Sequence, residues 1–91
     1  MKVGKVLWWS ERDRNGVITD SKGNEYYFDS SVADLKKVKK LDRGAVVLFE
    51  PSRCDEILAA KSVTFPNSKS VEKYLKTFEQ EKYQLNLPLA V

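Results

Sequence analysis

The chain contains no histidine and a single cysteine, and it has no long apolar run; each absence removes a class of function. Without imidazole the usual zinc ligand sets and the commonest general base are missing, so acid/base chemistry would fall to carboxylates and lysines alone. Cys54 cannot close an internal disulfide and has no histidine to activate it, so it reads as a small packing residue. A membrane-spanning helix needs about 20 predominantly apolar residues, and no stretch approaches that. The opening Met1-Lys2-Val3-Gly4-Lys5-Val6 runs directly into a strand-like pattern, without the apolar core and cleavage site of a secretory signal. The expectation is a soluble cytoplasmic protein that is not an enzyme, with no metal and no cofactor.

What is present suits one compact domain with an appendage: 91 residues, 42% hydrophobic and 32% charged, too few for two independent cores. The net charge of +3 and pI near 9.0 favour anionic partners only mildly. Distribution matters more than the total. Lys36, Lys37, Lys39 and Lys40 form the one dense cationic cluster, while Lys5, Arg12 and Arg14 lie near the aromatic N-terminal segment. On charge alone, a solvated loop and a scattered surface explain these residues better than a binding path does.

Lys5 to Ser10 is strongly β-favouring, and strict alternation sends Val6 and Trp8 to one face and Leu7 and Trp9 to the other. The polar turn Glu11-Arg12-Asp13-Arg14-Asn15-Gly16 then leads into Val17-Ile18-Thr19, which predicts a hairpin. A second turn, Asp20-Ser21-Lys22-Gly23-Asn24, precedes a third strand, Glu25-Tyr26-Tyr27-Phe28. Between Ser30 and Arg43 the spacing of Val32, Leu35, Val38 and Leu41 suits a short helical excursion with its lysines outward. Ala45 to Glu50 reads as a fourth strand closed by Pro51, and Ile57 to Phe65 as a fifth. Five short strands with an irregular connection after the third predict a mainly β fold, a five-stranded Greek-key barrel of the OB type, over residues 1–66. From Pro66 onward, in residues 67–91, helix formers take over. Val71, Tyr74, Leu75 and Phe78 make one apolar stripe over Lys69 to Lys82, an amphipathic α-helix that must pack against the barrel, a second copy or a partner. The tail from Leu85 to Val91 is apolar, and Pro88 argues against helix there.

Gly4-Lys5-Val6-Leu7-Trp8-Trp9 resembles the opening G-x-V-K-W-F strand of cold-shock domains, and Asn15-Gly16-Val17-Ile18-Thr19 resembles the F-G-F-I-T end of their first ribonucleoprotein motif. Tyr26-Tyr27-Phe28-Asp29-Ser30-Ser31-Val32 is similar to the second motif, with its aromatic core kept and its ending changed. Leu41-Asp42-Arg43-Gly44 with Val46, Val47 and Phe49 resembles the family's L-x-E-G-x-x-V-x-F, and Ala59-Ala60-Lys61-Ser62-Val63 its closing A-x-N-V. The resemblance covers about residues 3–65. It implies single-stranded RNA or DNA binding, with a role in RNA chaperoning or gene regulation. Both ribonucleoprotein motifs depart from the family's pattern. Asn15 and Val17 stand where the first motif has stacking phenylalanines, and Phe28-Asp29 where the second ends in His-Phe, so binding is expected to be weaker or more selective.

The physical argument beside the resemblance is that Leu7, Ile18 and Tyr27 can fill a core, leaving large aromatics for the surface. Flat π faces with cations nearby suit unstacked bases. Trp8, Trp9, Tyr26 and Phe28 are therefore the expected stacking platforms, and Lys5, Arg12, Arg14 and Lys61 the expected phosphate contacts. The alternative is that these aromatics are packing residues and the barrel is a protein-interaction adaptor. In that reading Val71, Tyr74, Leu75 and Phe78 form a homodimer or partner interface.

Overall fold

The computed structural model describes residues 1–33 and 41–86, with side chains to residue 81. The expected helical excursion and the lysine cluster at 36–40 fall mostly outside these residues, as does the end of the apolar tail. Five strands and one helix follow in order: β1 (Lys2–Ser10), β2 (Asn15–Thr19), β3 (Glu25–Asp29), β4 (Val46–Cys54), β5 (Ile57–Thr64) and α1 (Ser68–Asn86). The strands close into a barrel in the order β1-β2-β3-β5-β4, the Greek-key arrangement expected. All pairings are antiparallel except β3 with β5, which are parallel and joined at the single pair Tyr27 and Ala59. Beyond it the seam is closed by Ala33 bridging Val63.

Val6, Ile18, Phe28, Val47 and Phe49 are the largest fully buried side chains, packed with Tyr26, Leu41, Ala60 and Val63 in one core. Each such residue contributes on the order of 1.5–3 kcal/mol by leaving water. Gly16 is needed for this packing. A Cβ there would lie 2.4 Å from the Trp8 carbonyl oxygen and 3.0 Å from the Trp9 ring, so only glycine lets β1 and β2 approach while Trp9 folds inward.

Three local expectations are corrected. The β1–β2 ladder shifts register between Val6 and Trp8, so Leu7 is an extra residue and strict alternation fails: Val6 points in and Trp8 points out. In β3 the parity is the reverse of that expected. Tyr26 and Phe28 are buried and Tyr27 is exposed. Finally, β4 does not stop at Pro51 but runs on to Cys54. The ladder with β5 shifts between Glu50 and Pro51, at the residue that has no N–H to donate.

Tyr26 is drawn inward by polar as well as apolar partners. Its ring centroid lies 4.8 Å from that of Phe49, and its hydroxyl donates to Asp20 Oδ2 at 2.9 Å. Asp20 is the buried charged residue among the described residues, and it organises the β2–β3 turn. Its Oδ1 accepts the Lys22 and Asn24 backbone N–H groups, both at 2.9 Å. Its Oδ2 also accepts Asn24 Nδ2 at 3.0 Å and Lys2 Nζ at 3.2 Å. Burial pushes the Asp20 carboxyl up, but the hydrogen bonds from Asn24, Tyr26 and Lys2 outweigh it and hold it below the ordinary carboxylate range. Burial together with the Asp20 contact raises the Tyr26 phenol.

The helix begins where Asn67 caps it, its Oδ1 accepting the Ser70 N–H at 3.0 Å. It lies against the outer surface of β1 and β4. Phe78 is buried there and Val71, Tyr74 and Leu75 are half-buried. Of the three occupants expected for the stripe, the barrel is the one observed. Val3, pointing outward from β1, is covered in the same layer, and both residues stand apart from the main core. No described helix is long and apolar enough to cross a membrane.

Candidate nucleic-acid interface

On paired strands, residues directly opposite each other project to the same side, so the registers define rows on the outer surface of the barrel. Lys5, Thr19 and Glu25 make one row, Trp8, Val17 and Tyr27 the next, and Ser10, Asn15 and Asp29 the third. In the middle row Trp8 is 45% and Tyr27 44% exposed, with the half-buried Val17 between them. Two large rings left open on one face are costly for a small domain, and they give the row a flat apolar character that the flanking rows lack. Asn15 Nδ2 donates to the Tyr27 hydroxyl at 3.3 Å and steadies that ring from the third row.

Cations stand at the edges of this surface. Arg14, held at φ 58, places its guanidinium 5.6 Å from the Trp9 ring centroid and its Nη1 2.9 Å from Glu11 Oε2. Glu11 Oε1 in turn accepts Trp9 Nε1–H at 3.1 Å, so one carboxylate orients both groups. Arg12 is exposed in the same loop. On the far side, Lys61 of β5 is exposed and lies 3.3 Å from Glu50 Oε1.

Between β3 and β5, past the single pair that joins them, the strands leave a groove of about 240 Å³. Tyr27, Asp29, Val32, Ser52, Ala59 and Lys61 are among its lining residues. The small Ala59 opposite Tyr27 is what leaves space beside the ring. The groove therefore continues the aromatic row onto β5 and gives it a polar rim.

The expected site residues divide accordingly. Trp8, Arg12, Arg14 and Lys61 are on the surface. Trp9 is half-buried, its ring stacked on Phe28 with centroids 5.2 Å apart, so it forms the core edge beneath Arg14 rather than an open platform. Tyr26 and Phe28 are buried in the barrel and are not open platforms, although Phe28 is among the residues that line the groove. Lys5 is engaged by the helix: its Nζ is 3.3 Å from Glu79 Oε1 and 4.6 Å from the Phe78 ring centroid. Tyr27 was missed. The signal for it was the polar alternation Glu25, Tyr27, Asp29, which marks the solvent side of β3 and puts the tyrosine between two charges on that side.

Among the described residues no group of three or more Cys, Asp or Glu side chains is placed to hold a metal, and every buried side-chain nitrogen and oxygen has a hydrogen-bond partner. The chain matches no protein-family model and no curated protein sequence, so the geometry of this face carries the functional argument.

Proposed function

We propose that this chain binds single-stranded nucleic acid across the outer face of β1, β2 and β3, as the resemblance to cold-shock domains implies. The observation that carries the reading is the exposed Trp8–Val17–Tyr27 row flanked by Arg12, Arg14 and Lys61. Bases stack on aromatic faces with on the order of 1–3 kcal/mol each, largely irrespective of sequence, while the cations track the backbone. Trp8 and Tyr27 are the platforms in this reading, and Trp9 acts by holding Arg14 in place. A cytoplasmic role in RNA chaperoning or gene regulation belongs to the same reading.

The adaptor reading is weakened by one observation: Phe78, the most deeply covered residue of the helical stripe, is already buried on its own barrel. Titration of the protein with oligo-U and oligo-dT at fixed salt separates the two. Stacking on Trp8 quenches its fluorescence, and an unchanged spectrum at saturating oligonucleotide would exclude this face as the binding surface.

A further inference from the structure

We propose that the groove between β3 and β5 holds a guanine base and that Asp29 reads its Watson–Crick edge; this rests on the single-strand reading above. The groove has the parts a base site needs. Tyr27 supplies a ring as one wall, Val32 and Ala59 an apolar lining, and Ser52 and Lys61 a polar rim on the opposite strands. It is continuous with the Trp8–Val17–Tyr27 row, so a strand stacked on that row delivers its next base into it.

Asp29 decides which base fits. A carboxylate offers about four acceptor positions and no donor. Two are taken on Oδ1 by Ser31, through its backbone N–H at 2.9 Å and through its hydroxyl. Those bonds hold the side chain in one orientation, and among the described residues Oδ2 has no hydrogen-bond partner. Oδ2 is therefore open to accept a forked contact from two adjacent N–H donors. Guanine presents that pair at N1 and N2. Uracil flanks its single N3–H with two carbonyl oxygens, and adenine and cytosine set one amino group beside a bare ring nitrogen, so each turns an acceptor toward the carboxylate. The charge of Asp29 also opposes the phosphate backbone, which penalises any base that does not compensate it. An acidic residue on a nucleic-acid face thus lowers affinity in general and raises selectivity for one base. Lys61, at the groove rim, is placed to meet the phosphate of the captured nucleotide.

The test uses the full chain and three end-labelled heptamers at matched salt: oligo-U, the same strand with a central guanosine, and the same strand with a central inosine, which lacks the N2 amino group. Anisotropy should show the guanosine strand binding about tenfold or more tighter than the other two, the scale of a good two-bond base contact. Asp29→Asn keeps an oxygen for the Ser31 N–H but turns an amide donor toward the base, and it should erase the preference. Equal affinity for the three strands, with Trp8→Ala weakening all of them alike, would overturn the guanine assignment and leave the single-strand reading standing. No binding to any strand would overturn both.

Discussion

Tyr26 and Tyr27 are the same residue type on adjacent positions of one strand, and the fold gives them opposite duties, so truncating each tests the structure and the functional reading together. Tyr26 is 4% exposed. Replacing it with alanine removes a ring packed on Phe49 and leaves a cavity, at a cost of about 3–5 kcal/mol for an aromatic of this burial. It also withdraws the hydroxyl donor from Asp20 Oδ2, which adds roughly 1 kcal/mol even with Lys2 and Asn24 still in place. Against a total stability of about 5–15 kcal/mol, Tyr26→Ala should shift the urea midpoint severely or prevent folding. Tyr27→Ala removes an exposed ring and its cross-strand contact with Val17, worth about 0.2–1 kcal/mol, so the midpoint should barely move. Its effect belongs to binding: about 1–3 kcal/mol of oligonucleotide affinity, or roughly 5- to 150-fold in Kd. Urea melts and anisotropy titrations of the two variants side by side give the four numbers. If Tyr27→Ala destabilised the fold as much as Tyr26→Ala, the strand parity would be wrong; if it left affinity unchanged, the aromatic row would not be the binding surface.

Three further outcomes are expected. The Asp20 carboxyl is held below its ordinary range in the folded chain, so it stabilises the fold above the unfolded carboxylate pKa of about 3.9 and that stability drains away as pH falls through the lower folded value; urea melts from pH 6 to pH 2 should show a steep acid loss that Asp20→Asn flattens, and an unchanged slope would refute the linkage. Changing Asn15 and Val17 together to phenylalanine adds rings on the outer face beside Trp8 and Tyr27 and should tighten oligo-U binding by up to about 1–3 kcal/mol per added ring; a folded, monodisperse double variant with no gain would count against the single-strand reading. Phe78→Ala opens the layer between α1 and the barrel and should lower stability by about 3 kcal/mol, a loss that an unchanged urea midpoint would contradict.

The barrel itself was legible because its signals are local and redundant. Alternating β-branched and aromatic runs, Gly- and Asp-rich turns and the change of period at Pro66 each mark an element without knowledge of the others. The faces were less legible. A two-residue period says which residues lie together but not which set is inside, and an aromatic strand such as Glu25-Tyr26-Tyr27-Phe28 satisfies either assignment until the partner strand is known. Here Ile18, paired with Tyr26 and fully buried, decides the matter. In β1 the period itself breaks at Leu7, and a bulge leaves no mark in composition that distinguishes it from regular strand. Lys5 was misplaced for a different reason. Its partner Glu79 is 74 positions away in sequence, and no pattern in either segment anticipates that the helix returns to the first strand.

The bulge and the helix together explain how one strand serves two surfaces. Before Leu7 the outward Val3 is buried, and Lys5 lies beneath α1 with its ammonium over the Phe78 ring and its charge met by Glu79. After it Trp8 faces solvent, paired only toward β2 because β4 is bonded no further along β1 than Lys5. Stability alone would favour the opposite arrangement. An indole has far more apolar surface than a valine, and covering it at about 25 cal/mol per Å² would strengthen a 91-residue chain more than covering Val3 does. The helix instead neutralises the lysine of that half, while Trp8 and Tyr27 stay open near the Arg12–Arg14 loop. On the proposed reading this division sets the path of a bound strand: the covered half of β1 closes the route past Lys5, and the phosphates must run from the Arg12–Arg14 loop across β2 and β3 toward Lys61.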